Sequence, residues 1–161
     1  MEIYIPNEKH KYLIFLDCEY DYENMRQLSA IKFKKSAHGY ELLGSINRFI
    51  KDREKISSFF TDFTAISPQF LNQQGVALED VKHDFYDFVP IGSTTLVISH
   101  NLGTDNHILF KNGINLYLFD TFCTFQHARK QYPDLERYNV ESLAMMQGWY
   151  ISSPHDSYHD A

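Results

Sequence analysis

A chain of 161 residues with 43% apolar side chains can bury one well-formed core, and it holds no apolar run of about 18 residues that would span a bilayer. The formal net charge of −6 opposes contact with a polyanion unless acids cluster and take up cations, which excludes a nucleic-acid surface built on a long basic stripe. Met1-Glu2-Ile3-Tyr4-Ile5-Pro6 lacks the basic flank and apolar segment of a secretion signal, and Cys18 and Cys123 form no C-x-x-C pair. A cytoplasmic protein with free thiols, acting away from the membrane, is the expectation.

In chain order, Lys11 to Leu16 is a near-continuous apolar run ending in acids, the pattern of a central strand covered on both faces. Gln27 to Lys34 alternates as a half-buried strand would, with Lys32, Lys34 and Lys35 expected to be solvated on a sheet edge. His38-Gly39 reads as a turn and Tyr40 to Phe49 as a third strand, completing an antiparallel meander. Ile50 to Gly75 reads as loop with short helical pieces at Ser57–Phe60 and Pro68–Leu71. Leu78, Val81, Phe85, Phe88 and Val89 then fall at helical spacing.

Thr94 to Ser99 is a short β-branched run and predicts a buried strand. Thr104 is placed to cap a helix to Lys111, stopped by Asn112-Gly113, and Leu116 to Phe119 reads as another strand. Asp120 or Thr121 would cap a helix to about Gln131, and Asn139 one over Val140–Gln147. This order predicts an α/β mixed sheet, three antiparallel strands followed by parallel ones, with helices on both faces. One domain over residues 1–161 is expected, its core beginning near residue 11.

Within that frame the carboxylates stand out. Asp17 and Glu19 are two apart on a strand and share a face. Asp105 follows a strand and lies in the first turn of the next helix, where the dipole favours its charge. Asp160 sits in His155-Asp156-Ser157-Tyr158-His159-Asp160-Ala161. Like charges at about 4 Å in an effective dielectric near 20 repel by roughly 4 kcal/mol per pair, a cost that divalent cations remove. An all-oxygen set prefers Mg2+ or Mn2+ to zinc.

These segments resemble the DEDD superfamily of 3′→5′ exonucleases, the ribonuclease H-like group that includes ribonuclease T and the proofreading subunit of DNA polymerase III. Asp17 and Glu19 match its first motif, Asp105 its second and Asp160 its third. His155, five residues before Asp160, matches the histidine (DEDDh) subclass. Ser99-His100-Asn101, Phe119-Asp120-Thr121 and Thr64-Ala65-Ile66-Ser67 add to the likeness. Tyr20-Asp21 stand where small hydroxyl residues are common, Ala65 where glycine is usual and Ser157 where alanine is usual; none removes a ligand.

The resemblance implies a ribonuclease H-like fold in which Asp17, Glu19, Asp105 and Asp160 bind two Mg2+ or Mn2+ ions and His155 is the general base for the attacking water. It also implies release of nucleoside 5′-monophosphates from 3′ ends of single-stranded DNA or RNA. Tyr20, Ile66 and Asn101 would contact substrate. The family continues past its last Asp-Ala with a helix, so a chain ending at Ala161 is expected to be completed by further sequence, by a partner protein or by a second copy in a homodimer. The alternative is a weak or inactive nucleic-acid-binding or scaffold module that keeps the fold. Asp120 is expected to be structural, as are His83, His107 and His127, and a P-loop is absent.

Overall fold

The computed structural model describes residues 8–51, 55–149 and 161. Strand β1 (Tyr12–Asp21) pairs antiparallel with β2 (Asn24–Ser36), and β2 with β3 (Gly39–Phe49). Helices α1 (Ser58–Thr64), α2 (Pro68–Gln74) and α3 (Leu78–Phe88) lead into β4 (Gly92–Ser99), and α4 (Leu102–Lys111) leads into β5 (Phe119–Cys123). Helices α5 (Thr124–Gln131) and α6 (Val140–Met146) follow. The sheet order is β3-β2-β1-β4-β5, with β4 parallel to both β1 and β5. The predicted mixed sheet is the one observed.

Strand β1 is central because both of its faces find apolar partners. Ile14 and Leu16 join Val81 and Phe85 of α3 and Ile108 and Leu109 of α4 in the main core. Leu13 packs on the other face with Leu96 and Ile98. A strand buried on two sides carries a continuous apolar run, which is why residues 11–16 do not alternate.

Antiparallel pairing with β2 carries β1 through Asp17 and Glu19 to Asp21, so both acids lie on that strand as expected. Four expectations are corrected. Lys32, Lys34 and Lys35 lie not on an edge but on β2, which β3 covers; Lys34 and Lys35 are exposed as expected, while Lys32 Nζ donates to the Phe88 carbonyl at 2.6 Å. Asn101, in the left-handed region at φ 59°, is the residue before α4, and Thr104 lies inside the helix. Leu116–Leu118 is a 3-10 turn, and parallel pairing with β4 holds residues 119–123 as strand. Asp120 and Thr121 are therefore β residues, and α5 begins at Thr124 with no side-chain cap.

Two backbone positions shape the region between β3 and α3. Ala65 ends α1 at φ 60°, a left-handed C-cap that a glycine would adopt without the roughly 1–2 kcal/mol an L side chain costs. Gly75 lets the chain press on β3, since a Cβ there would stand 2.5 Å from the Leu71 carbonyl oxygen and 2.7 Å from the Lys51 nitrogen. Val76 consequently exchanges backbone hydrogen bonds with Phe49 and Lys51 at 2.9 and 2.8 Å.

Candidate functional site

The site arises from a mismatch in strand length. Pairing of β1 with β4 ends at Phe15 and Ile98, and β4 itself ends at Ser99, while β1 runs on to Asp21 against β2 alone. The overhang carries Asp17, Cys18, Glu19 and Tyr20. Opposite it the chain turns through His100 and Asn101, whose Nδ2 donates to Thr104 Oγ1 at 2.9 Å, and α4 then brings in Asp105. The cleft between diverging strand ends is a cavity of about 370 Å³.

Of the residues singled out in the sequence, Asp17, Glu19, Tyr20, Asn101 and Asp105 all line this cavity. Asp160 and His155 lie outside the described residues. Ile66 is elsewhere: it is 7% exposed, packed with Phe60 and Leu71, and lines a separate pocket of about 110 Å³. Sequence reasoning missed Glu141, which enters the cavity wall from the first turn of α6 beside the capping Asn139. Its only sequence signal was that of a helix-start acid.

The charges in the cavity act on one another. Burial pushes the Cys18 thiol well up, and the charges of Asp105, Asp17 and Glu19 push the same way. Tyr20 is raised first by burial and then by Cys18 and the same three carboxylates. Asp105 is raised to about 6 by burial, against hydrogen bonds from Ser99 and Cys18 that favour its charged form. No lysine or arginine is among the described lining residues.

His100 forms the wall between this cavity and an apolar one of about 340 Å³. Its Nδ1 lies 3.0 Å from Thr124 Oγ1, and it also bonds the Tyr138 backbone. Burial lowers its pKa, so this imidazole is neutral near pH 7 and ties the end of β4 to the segments leading into α5 and α6.

Oxygen donors of this kind suit Mg2+ or Mn2+. Among the described residues, however, no group of three or more His, Cys, Asp or Glu side chains is placed to hold an ion. The described acids ring the cavity, and closing a coordination shell would need a further ligand.

A second cleft, of about 470 Å³, adjoins the first and shares Glu19 and Tyr20 with it. Tyr22, Phe59 and Phe63 line it. The Phe59 and Phe63 rings stack at 5.8 Å and 11°, and Phe59 is 75% exposed. Helix α1 is fixed there by the buried Asp21, which accepts from both the backbone N–H and the hydroxyl of its capping residue Ser57 at 2.7 Å.

Solved structures of exonuclease I share this architecture. One superposes with a TM-score of 0.76 at 16% identity over 94% of this chain and 38% of that one. The chain has the ribonuclease H-like exonuclease fold. The zinc-bound complex of Escherichia coli exonuclease I with single-stranded DNA gives 0.77 at 18% identity over the same shares. A product-bound exonuclease I gives 0.74 at 16%, over 94% of this chain and 42% of that one. The exonuclease fold seen here thus spans less than half the length of those proteins. No family model and no curated protein sequence matches the chain.

Proposed function

We propose that this chain is a metal-dependent 3′→5′ exonuclease that releases nucleoside 5′-monophosphates from single-stranded DNA or RNA ends. The observation that carries the reading is the gathering of Asp17, Glu19 and Asp105 around one cavity at the open end of β1, in a fold shared with exonuclease I. In this reading Asp17, Glu19, Asp105 and Asp160 form the acidic set for two Mg2+ or Mn2+ ions, and His155 is the general base. Bound cations would neutralise the scissile phosphate and acidify water at the site. The protein's own part is to hold the carboxylates on rigid strands and to seat the 3′ end.

The adjoining aromatic cleft suits unstacked bases, since exposed rings bind single strands with little sequence preference. Tyr20, shared by both clefts, and Asn101, at the turn after β4, are placed to contact the terminal nucleotide. Ile66 would act through its own pocket, which shares Thr64 with the aromatic cleft. Solved exonuclease I complexes include oligonucleotides and a single-stranded DNA-binding protein, which supports single-stranded partners here. A homodimer or a partner protein contributing further structure belongs to the same proposal. So does a cytoplasmic setting: both cysteines are free, and none of the described helices is long and apolar enough to cross a membrane.

One observation favours a second reading, a nucleic-acid-binding module without catalysis: the described acids do not close on a single ion position. Oligonucleotides labelled at the 3′ or the 5′ end, incubated with Mg2+, Mn2+ or chelator, separate the two. The exonuclease reading expects stepwise loss from the 3′ end that chelator stops and Asp17→Ala abolishes. Binding without shortening under every metal condition would leave the module.

A further inference from the structure

Asp105 reaches the acidic cavity, yet its residue surface is only 4% exposed. The carboxylate is held from several sides. Oδ2 accepts a hydrogen bond from the Ser99 hydroxyl at the end of β4, and Oδ1 accepts one from the Cys18 thiol of β1 at 3.3 Å. The backbone N–H groups of Cys18 and of Asp105 itself add to these. Donors from β1, β4 and α4 thus fix both its place and its orientation. The arrangement sits where β4 has stopped pairing with β1, and Asp105 links the three elements there.

Ser99 and Cys18 are themselves buried, and each directs its donor at the same group. Cys18 is also the residue between Asp17 and Glu19, so its bond to Asp105 ties that carboxylate to the strand that bears the other two acids. A buried carboxylate without donors would favour its protonated form and lose its value to a cation.

We propose that Ser99 and Cys18 are positioning residues that lock the Asp105 carboxylate at the floor of the acidic cavity and thereby set the cavity's affinity for divalent cations. This rests on the reading of the cavity as a cation site. The burial that pushes Asp105 up is opposed by these same two side chains, consistent with their keeping it charged.

Mn2+ binding to the full chain, followed by electron paramagnetic resonance without nucleic acid, tests the proposal through Ser99→Ala, Cys18→Ala and Cys18→Ser, with Asp105→Asn as reference. Losing a hydrogen-bond partner behind a metal-binding carboxylate weakens metal binding about 10- to 100-fold. Ser99→Ala is expected in that range, Cys18→Ala to lose less because a thiol is a weak donor, and Cys18→Ser to bind as the native chain does. Thermal unfolding in chelator is measured alongside: a merely structural role would lower the midpoint and leave the Mn2+ affinity of folded protein unchanged. The proposal is overturned if Ser99→Ala and Cys18→Ala bind Mn2+ normally while Asp105→Asn loses it. Normal binding by Asp105→Asn would remove the cation reading of Asp105 itself, and the positioning role with it.

Discussion

Asp105 and Asp120 lie toward opposite ends of β1, and the protein treats their carboxylates in opposite ways. Asp120 meets Lys9 Nζ at 2.5 Å and His10 Nε2 at 2.8 Å, and these partners hold its pKa below the usual carboxylate range. Asp105 meets a hydroxyl, a thiol and backbone amides, and burial raises it to about 6. The first acid is satisfied by Lys9 and His10 of the chain itself. The second is held in place by neutral donors beside two further carboxylates, an environment that favours an external cation. Residue type is the same; the partners at each end of the strand decide whether an acid is paired with a charged side chain or held by neutral donors at a cavity.

The largest expected effect breaks this comparison if the two ends behave alike. On the proposed exonuclease reading, Asp17→Asn should cut 3′→5′ degradation of a labelled oligonucleotide on the order of 10³-fold, because several kcal/mol of charge stabilisation are lost. Asp120→Asn should leave that rate within about twofold while lowering the thermal midpoint, because it weakens the bond to the buried His10 as well as the exposed pair with Lys9.

Titration sharpens the contrast through its sign. With its folded pKa raised from 3.8 to about 6, Asp105 binds more protons in the folded than in the unfolded chain between those values. Stability of the metal-free protein should therefore fall as pH rises from about 4 to about 6, by at most about 3 kcal/mol. Asp105→Asn should flatten that portion of a denaturant-measured stability profile. Asp120, with its pKa lowered, has the opposite sign: its contribution is present above the unfolded pKa and is lost as pH drops through the folded value.

Asp21 offers a third kind of acid, buried and accepting two hydrogen bonds from Ser57, the capping residue of α1. Asp21→Ala should cost about 2–3 kcal/mol in urea unfolding and raise KM more than it lowers kcat, because α1 and its rings lose their anchor. Phe59→Ala should raise KM for a single-stranded oligonucleotide roughly tenfold with little change in thermal midpoint, given about 1–3 kcal/mol per stacked base. An unchanged KM would separate the aromatic cleft from the acidic end of the sheet.

Several of these features were legible from neighbouring residues. The run at residues 11–16 announced a strand covered on both faces, the spacing of Val81 and Phe85 announced α3, and Asp17-x-Glu19 placed two acids on one strand face. Asn139 carried a cap signal that the structure uses, accepting from Ser142, whereas Ser57, read as the first residue of a helical piece, caps α1 by accepting from Phe60. Asp120 misled because Phe119-Asp120-Thr121 looks like the start of a helix, whereas pairing with β4 keeps it in a strand and His10, 110 positions away, takes its carboxylate.

What the chain determined by itself was the order of its elements and which acids share a strand face, since alternation, helical spacing and caps depend on residues two to four positions apart. Tertiary structure decided where β4 stops beside β1, that Asp105 is buried between Ser99 and Cys18, and that Glu141 joins the cavity wall. Those outcomes depend on strand register and desolvation set between residues as distant as the 87 positions separating Cys18 from Asp105, a separation that no local pattern encodes.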